Sequence, residues 1–257
     1  MTEHLLPDGY VALDSTEANG FALVATSHWG AGVLASAKTL HAWAAGAEGA
    51  EAFTGRGTVY AVPAAAAGPD DRARWAVRHY RRGGAIAAHL GDRYLASNET
   101  RPRIELAASV VARARGVPTP AVVAGTCYPA GMFYRADLVT ELIPDAASLA
   151  ALVHSSGLTD SQRNALLGSA GRLVRVMEEA GIAHADLNAM NILVEHGSGK
   201  AHVIDLDRCR IISRQSPSGD SMRRRLERSL LKVGAAADCE LAADAWQALR
   251  AGFETPP

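Results

Sequence analysis

The chain has 257 residues, 48% hydrophobic and 21% charged, with a formal net charge of −1. That is the composition of a globular protein able to bury a core in one or two domains. It excludes attraction of the whole chain to nucleic acid, so any anionic partner must meet a local basic patch.

The three cysteines, Cys127, Cys209 and Cys239, are odd in number and far apart. They fit reduced thiols, and neither a disulfide framework nor a zinc site. The opening residues lack the pattern of a signal peptide, and no run reaches the ~20 apolar residues of a membrane span.

In chain order, residues 1–50 carry the weakest signals: a strand at Phe21 to Val24 and a short helix from Leu34 to Gly46, read as an extension packing on the first lobe. Gly55-Arg56-Gly57 then enters an apolar strand. Such a turn lets backbone N–H groups approach phosphates, but Tyr60 stands where a third glycine would be, so a plain turn reads equally well. Arg74 to Tyr80 alternates as a strand, with Arg78 a candidate phosphate clamp. Arg81 and Arg82 follow, either as anion ligands or as a solvated loop.

Asn98 to Arg115 has helical spacing, with Pro102 in its first turn. Glu105 on this helix is either a partner for Arg78 or a surface acid near a helix start. Ala121 to Thr126 and Phe133 to Ile143 read as two strands around a turn at Pro129 to Gly131. Pro144-Asp145 ends that pattern, so the boundary between lobes is expected after residue 143, with Glu141 to Ile143 as hinge. A short helix is expected at Ser148 to Val153. A long one follows from Asp160 to Ala180, with an apolar stripe of Leu166, Ala170, Leu173, Met177 and Ala180. Beyond residue 205, Met222 to Val233 reads as a basic amphipathic helix facing either solvent or an anionic membrane or substrate. Asp238 to Ala251 reads as a closing helix.

The most informative stretch is residues 181–208. His184, Asp186 and Asn191 fit H-x-D-x-x-x-x-N. The apolar run Ile192 to Val194, a turn at Gly197 to Gly199, and Val203-Ile204 lead to Asp205. A hairpin here returns Asp205 to the neighbourhood of Asn191 and Asp186. Two acids and an amide converge, an oxygen-rich set suited to Mg²⁺ completed by phosphates. Phosphoryl transfer needs these parts: a base, a metal-binding Asn and a metal-binding Asp.

The order of these motifs resembles the protein-kinase-like superfamily, over roughly residues 55–210. More narrowly, the chain resembles the bacterial lipopolysaccharide core kinases. The residues that carry this are Gly55-Arg56-Gly57, Arg78-His79-Tyr80-Arg81-Arg82-Gly83-Gly84, Gly116 to Pro120, His184 to Leu193 and Ile204 to Cys209. The resemblance implies an α+β fold of two lobes: a mostly antiparallel-sheet N-lobe (1–143) and a compact helical C-lobe (144–257). It implies ATP and Mg²⁺, and phosphorylation of a hydroxyl of 3-deoxy-D-manno-octulosonic acid (Kdo) on a lipid A precursor. Asp186 is then the base, Asn191 and Asp205 hold the metal, and His184 braces the loop. Gly55, Gly57, Arg78, Glu105, Glu141 and Ile143 serve the nucleotide, and Arg81 and Arg82 the acceptor. The implied place is the cytoplasmic side of the bacterial inner membrane, held peripherally to its anionic surface, with no nucleic-acid partner.

The chain departs from protein kinases in three ways. Arg78 replaces the strand lysine, Asp205-Leu206-Asp207 replaces Asp-Phe-Gly, and no Ala-Pro-Glu follows. The missing Ala-Pro-Glu, with a tail too short for the extended peptide-binding lobe of a protein kinase, favours a small-molecule or glycolipid acceptor over a protein. The alternatives are another kinase-like phosphotransferase acting on a small molecule or protein, a nucleotide-binding pseudokinase, and a membrane-surface scaffold.

Overall fold

The computed structural model describes residues 6–36, 38–54, 57–65, 73–82, 91–97, 99–212 and 219–255. The chain divides into two units, residues 1–107 with 121–142, and residues 108–120 with 143–257.

The first unit is built on an antiparallel sheet. Its strands are β1 (Tyr10–Asp14), β2 (Asn19–Leu23), β3 (Glu51–Thr54), β4 (Thr58–Pro63), β5 (Arg74–His79), β6 (Tyr94–Leu95), β7 (Val122–Ala130) and β8 (Phe133–Glu141). The order is β1-β2-β7-β8-β5-β4-β3, with β6 paired to the start of β8. Alternation of buried and partly buried residues along the first part of β5 is the period of a strand with one face more deeply covered. Residues 1–50 do more than extend this unit. They supply strands β1 and β2 and helices α1 (Ser27–Ala35) and α2 (Leu40–Ala45), where the sequence suggested one strand and one helix. Thr39 caps α2 by accepting from the Ala42 N–H at 3.0 Å. Val33, Leu34, Leu40 and Ala44 pack on Val62, Trp75, Val77 and Val139 of the sheet. Trp29 sits 4.9 Å from Trp43 and 4.7 Å from Trp75, ring to ring.

Helix α3 (Arg101–Ala114) begins among first-unit residues, and its residues from Ala108 onward group with the second unit.

The second unit holds α4 (Leu149–Leu152), α5 (Asp160–Glu179), α6 (Gly219–Ala236) and α7 (Ala243–Glu254). Two small sheets accompany them. One has the order β12 (Ala201–Val203), β11 (Ile192–Glu195), β9 (Ala146–Ser148), and the other pairs β10 (Ile182–His184) with β13 (Cys209–Ile211). A capping box starts α5: Thr159 accepts from the Gln162 N–H, and Gln162 accepts from the Thr159 N–H. The buried stripe of α5 runs through Leu167, Ala170, Leu173, Val174 and Met177. Leu166, assigned to that stripe from spacing, is only half-buried. The closing helix starts at Ala243, five residues after its expected position, because Asp238 takes a positive φ of 50° and interrupts the helix. Helices α5 and α7 meet backbone to backbone. A Cβ on Gly171 would lie 2.3 Å from the Leu249 carbonyl oxygen, and one on Gly252 would lie 2.4 Å from that of Gly168.

Candidate active site

Helix α5 ends at Glu179, and Gly181, with φ of 67°, turns the chain into β10. The loop 185–191 then joins β10 to β11, while residues 204–208 join β12 to β13. Antiparallel pairing of β11 with β12 and of β10 with β13 brings these two connections side by side. The Ile204 N–H donates to the Asn191 carbonyl at 3.0 Å, and the Ala185 N–H to the Arg208 carbonyl at 3.3 Å. The hairpin thus returns the Asp205 segment to the Asn191 end of the loop, the convergence expected from the sequence.

His184 is buried beneath this loop. Its Nδ1 accepts the Asp186 N–H at 3.2 Å, and its Nε2 lies 3.4 Å from the Ile204 carbonyl oxygen. An N–H can only donate, so Nδ1 is unprotonated and Nε2 carries the hydrogen. Burial lowers the pKa of this imidazole, outweighing the Ile204 carbonyl and the carboxylates of Asp205, Asp186 and Asp207, which raise it. A neutral ring therefore ties one segment to the other.

The Asp186 carbonyl accepts from the side-chain amides of Asn188, at 2.8 Å, and Asn191, at 3.1 Å. Its carboxylate is half exposed and stands 4.0 Å from Arg208. Because the amide nitrogen of Asn191 faces a carbonyl, its Oδ1 remains as an acceptor in a buried position. Asp205 has φ of 64° and ψ of 55°, a left-handed backbone uncommon outside glycine. Such backbone positions cluster at functional sites. An amide oxygen and a carboxylate from adjoining connections are hard oxygen donors of the kind Mg²⁺ takes. On that chemistry the residues fit the metal.

Two contacts from α6 fix the loop and were not apparent in the sequence. Met222 Sδ accepts the His184 N–H at 3.3 Å, and Ser229 Oγ accepts the Ala189 N–H at 3.0 Å. Helical spacing of Met222, Leu226 and Leu230 marks the buried face, but no local signal assigns that face to the loop.

In the first unit, Glu105 is buried and not a surface acid. Its Oε2 pairs with Arg78 and accepts the Tyr80 hydroxyl at 2.5 Å. The Arg78 guanidinium lies 4.5 Å from the Tyr80 ring centroid and keeps 27% of its side chain exposed. A cation is thus aimed and held, with part of its side chain exposed.

Gly55 lies outside the described residues, as do Gly83 and Gly84 of the sequence motif. Gly57 stands just before β4, and an added Cβ there would meet Arg81 Cδ at 3.1 Å, so the Arg81 stem crosses the glycine. Arg82 is engaged elsewhere. Its Nε donates to the Arg93 carbonyl at 2.7 Å, and its guanidinium lies 4.6 Å from the Tyr94 ring. The Glu141 carboxylate accepts the Ala121 N–H at 3.1 Å, and the Glu141 N–H donates to the Ala121 carbonyl at 2.9 Å. Ile143 is the first residue after the first unit ends at Leu142.

A partly buried network beside Arg78 was also not apparent in the sequence. His79 Nδ1 lies 2.6 Å from Asp137 Oδ1, and its Nε2 lies 3.0 Å from Asp92 Oδ2. Asp137 is fully buried and also accepts from the His41 N–H at 2.8 Å and the Tyr128 hydroxyl at 3.0 Å. His41 Nε2 in turn donates to the Thr58 carbonyl at 2.9 Å, one residue after Gly57. Burial alone would lower the His79 pKa, but hydrogen bonds and charge from Asp137 and Asp92 outweigh it and raise the value. The available signal was an acid at position 137 between Ala136 and the apolar pair Leu138-Val139.

Comparison with known proteins gives concordant matches. The family model for lipopolysaccharide kinases (Kdo/WaaP) matches residues 41–253. A 3-deoxy-D-manno-octulosonic acid kinase of Photobacterium profundum is 33% identical over 204 residues, 79% of this chain and 81% of that protein. One from Stenotrophomonas maltophilia is 36% identical over 159 residues, 61% of each chain. Among solved structures, WaaP in complex with acyl carrier protein superposes with a TM-score of 0.52 at 17% identity. That match covers 87% of this chain and 86% of WaaP, a likeness of fold.

Proposed function

From the premise that this chain belongs to the lipopolysaccharide kinase (Kdo/WaaP) family, we propose that it transfers the γ-phosphoryl group of ATP to a hydroxyl of Kdo on a lipid A precursor. One observation carries the reading: His184 and the Asn191 backbone carbonyl bind the Asp186 and Asp205 connections together.

In this mechanism Asp186 orients the acceptor hydroxyl and takes its proton. The hydroxyl oxygen forms a bond to the γ-phosphorus as the bond to the β–γ bridging oxygen breaks, and ADP leaves with that electron pair. Arg78, aimed by Glu105 and Tyr80, binds nucleotide phosphates. Asn191 Oδ1 and the Asp205 carboxylate would hold Mg²⁺, which would supply neutralisation of charge on the phosphates. In a loose transition state, positioning and charge neutralisation account for most of the acceleration. His184 keeps the base loop in register and moves no proton.

Among the described residues no helix is long and apolar enough to cross a membrane. We place the reaction at the cytoplasmic face of the inner membrane, with the chain bound peripherally to its lipid acceptor.

The test is incubation of the chain with Mg·ATP and a Kdo-bearing lipid A precursor, read by mass spectrometry. Gain of a phosphate, lost in Asp186→Ala, is expected. ATP binding without gain would overturn the acceptor assignment. An Asp186→Ala variant of undiminished rate would overturn the base.

A further inference from the structure

The cations of helix α6 sort by helical face. Arg223 is structural: it bonds the Glu178 carboxylate at 2.8 and 2.9 Å and that of Glu254 at 2.6 Å, against the Phe253 ring. Arg224 lies 3.7 Å from Asp220. Arg225, Arg228 and Lys232 follow one another at steps of three and four, so they share one stripe of the helix. Among the described residues, no carboxylate lies within ion-pair distance of these three.

That stripe lines a groove of about 520 Å³, in the size range of small-molecule sites. The catalytic loop lines it too, with Asp186, Asn188 and the half-exposed Met190. Three like charges along one groove repel one another, and a bound anion relieves that repulsion. A guanidinium offers paired N–H donors matched to a carboxylate, and Lys232 adds a point charge.

We infer that this groove binds the carboxylate of an acidic sugar acceptor through Arg225, Arg228 and Lys232, and so presents a neighbouring hydroxyl to Asp186. The inference rests on the kinase reading above and names a different set of acceptor cations from Arg81 and Arg82. The cations share a concave groove with the base, which suits a sugar more than a flat bilayer surface.

The test uses the full chain and a deacylated, water-soluble Kdo-bearing acceptor. Its binding is measured by titration calorimetry without ATP, and its KM with ATP. Arg225→Gln, Arg228→Gln and Lys232→Gln should each weaken binding and raise acceptor KM about fivefold, and the triple variant on the order of a hundredfold. The KM for ATP should hold. Arg224→Gln, on another face, should change neither value. Reducing the acceptor carboxylate to an alcohol should bring wild type and triple variant to the same weak affinity.

Unchanged binding of the soluble acceptor by the triple variant would overturn the inference. So would an effect confined to acceptor in anionic vesicles, which would assign the cations to lipid headgroups. Absence of acceptor binding by the wild-type chain would overturn it as well. Charge-dependent binding without turnover would uphold the groove while removing the kinase reading.

Discussion

The carbonyl oxygen of Asp186 accepts a hydrogen bond from the side-chain amide of Asn191 at 3.1 Å. The residue assigned to hold the metal thus also holds the backbone of the residue assigned as base. Asn191→Ala removes both functions, so kcat should fall by about 10²–10³ and the Mg²⁺ needed for half-maximal rate should rise. Asn191→Asp keeps an oxygen for the metal but sets a carboxylate against a carbonyl. Rate against Mg²⁺ concentration for both variants is the measurement, and an unshifted Mg²⁺ dependence would remove Asn191 from the metal site.

Buried His184 and partly buried His79 should couple stability to pH with opposite signs. His184 has a pKa below the ordinary 6.5, so the unfolded chain binds more protons as pH falls through that value. Stability from its neutral form is complete above about pH 6.5 and drains below it. Thermal melts from pH 7.5 to 5 should show this loss, and His184→Gln should flatten the slope.

His79 has a pKa raised above 6.5, so its contribution is complete below that value and is lost as pH rises through the folded pKa. Melts from pH 6 to 9 should lose stability in the wild type and less in His79→Gln. An equal slope in both proteins would show that the Asp137 and Asp92 contacts carry no net charge coupling.

Glu105→Gln removes the buried carboxylate that accepts from Arg78 and the Tyr80 hydroxyl. The expected cost is about 1–3 kcal/mol of stability, with a higher KM for ATP and a smaller change in acceptor KM. Arg78→Lys should raise the ATP KM too, because an ammonium lacks the guanidinium fork. A double-mutant cycle of the two substitutions should be strongly non-additive.

Gly171→Ala would place a methyl group 2.3 Å from the Leu249 carbonyl oxygen and force α5 from α7. A loss of about 1–3 kcal/mol is expected, read as a lower midpoint in urea. Gly197→Ala, with nothing within 4 Å of the added carbon, should leave the midpoint unchanged.

These positions show why some of the molecule was legible in the sequence. Residues 184 to 205 are close in the chain, and a hairpin of apolar strands brings them together by local geometry alone. Strands of the sheet were legible from alternation over Arg74 to Tyr80 and from the turn at Pro129 to Gly131. Asp137, in contrast, meets a residue 58 positions away at His79 and one 96 positions away at His41. No local pattern encodes such partners. The same holds for Met222 and Ser229, whose spacing marked a buried face without naming what it covers. Leu166 and Leu167 are neighbouring apolar residues that differ by about 100° of rotation on the helix, and only packing decides which one is buried.

Asp205 combines a left-handed backbone with a carboxylate. Asparagine suits that backbone but drops the charge. Glutamate keeps the charge but is poorly suited to the backbone, and its extra methylene displaces the oxygens. Glycine suits the backbone best and carries no ligand at all. No single replacement satisfies both demands, so this position has no neutral neighbour in sequence space. On the proposed metal role of Asp205, a lineage that leaves aspartate here passes through a protein that is either strained or short of a metal ligand, which would make the residue a gate between an active kinase and an inert descendant.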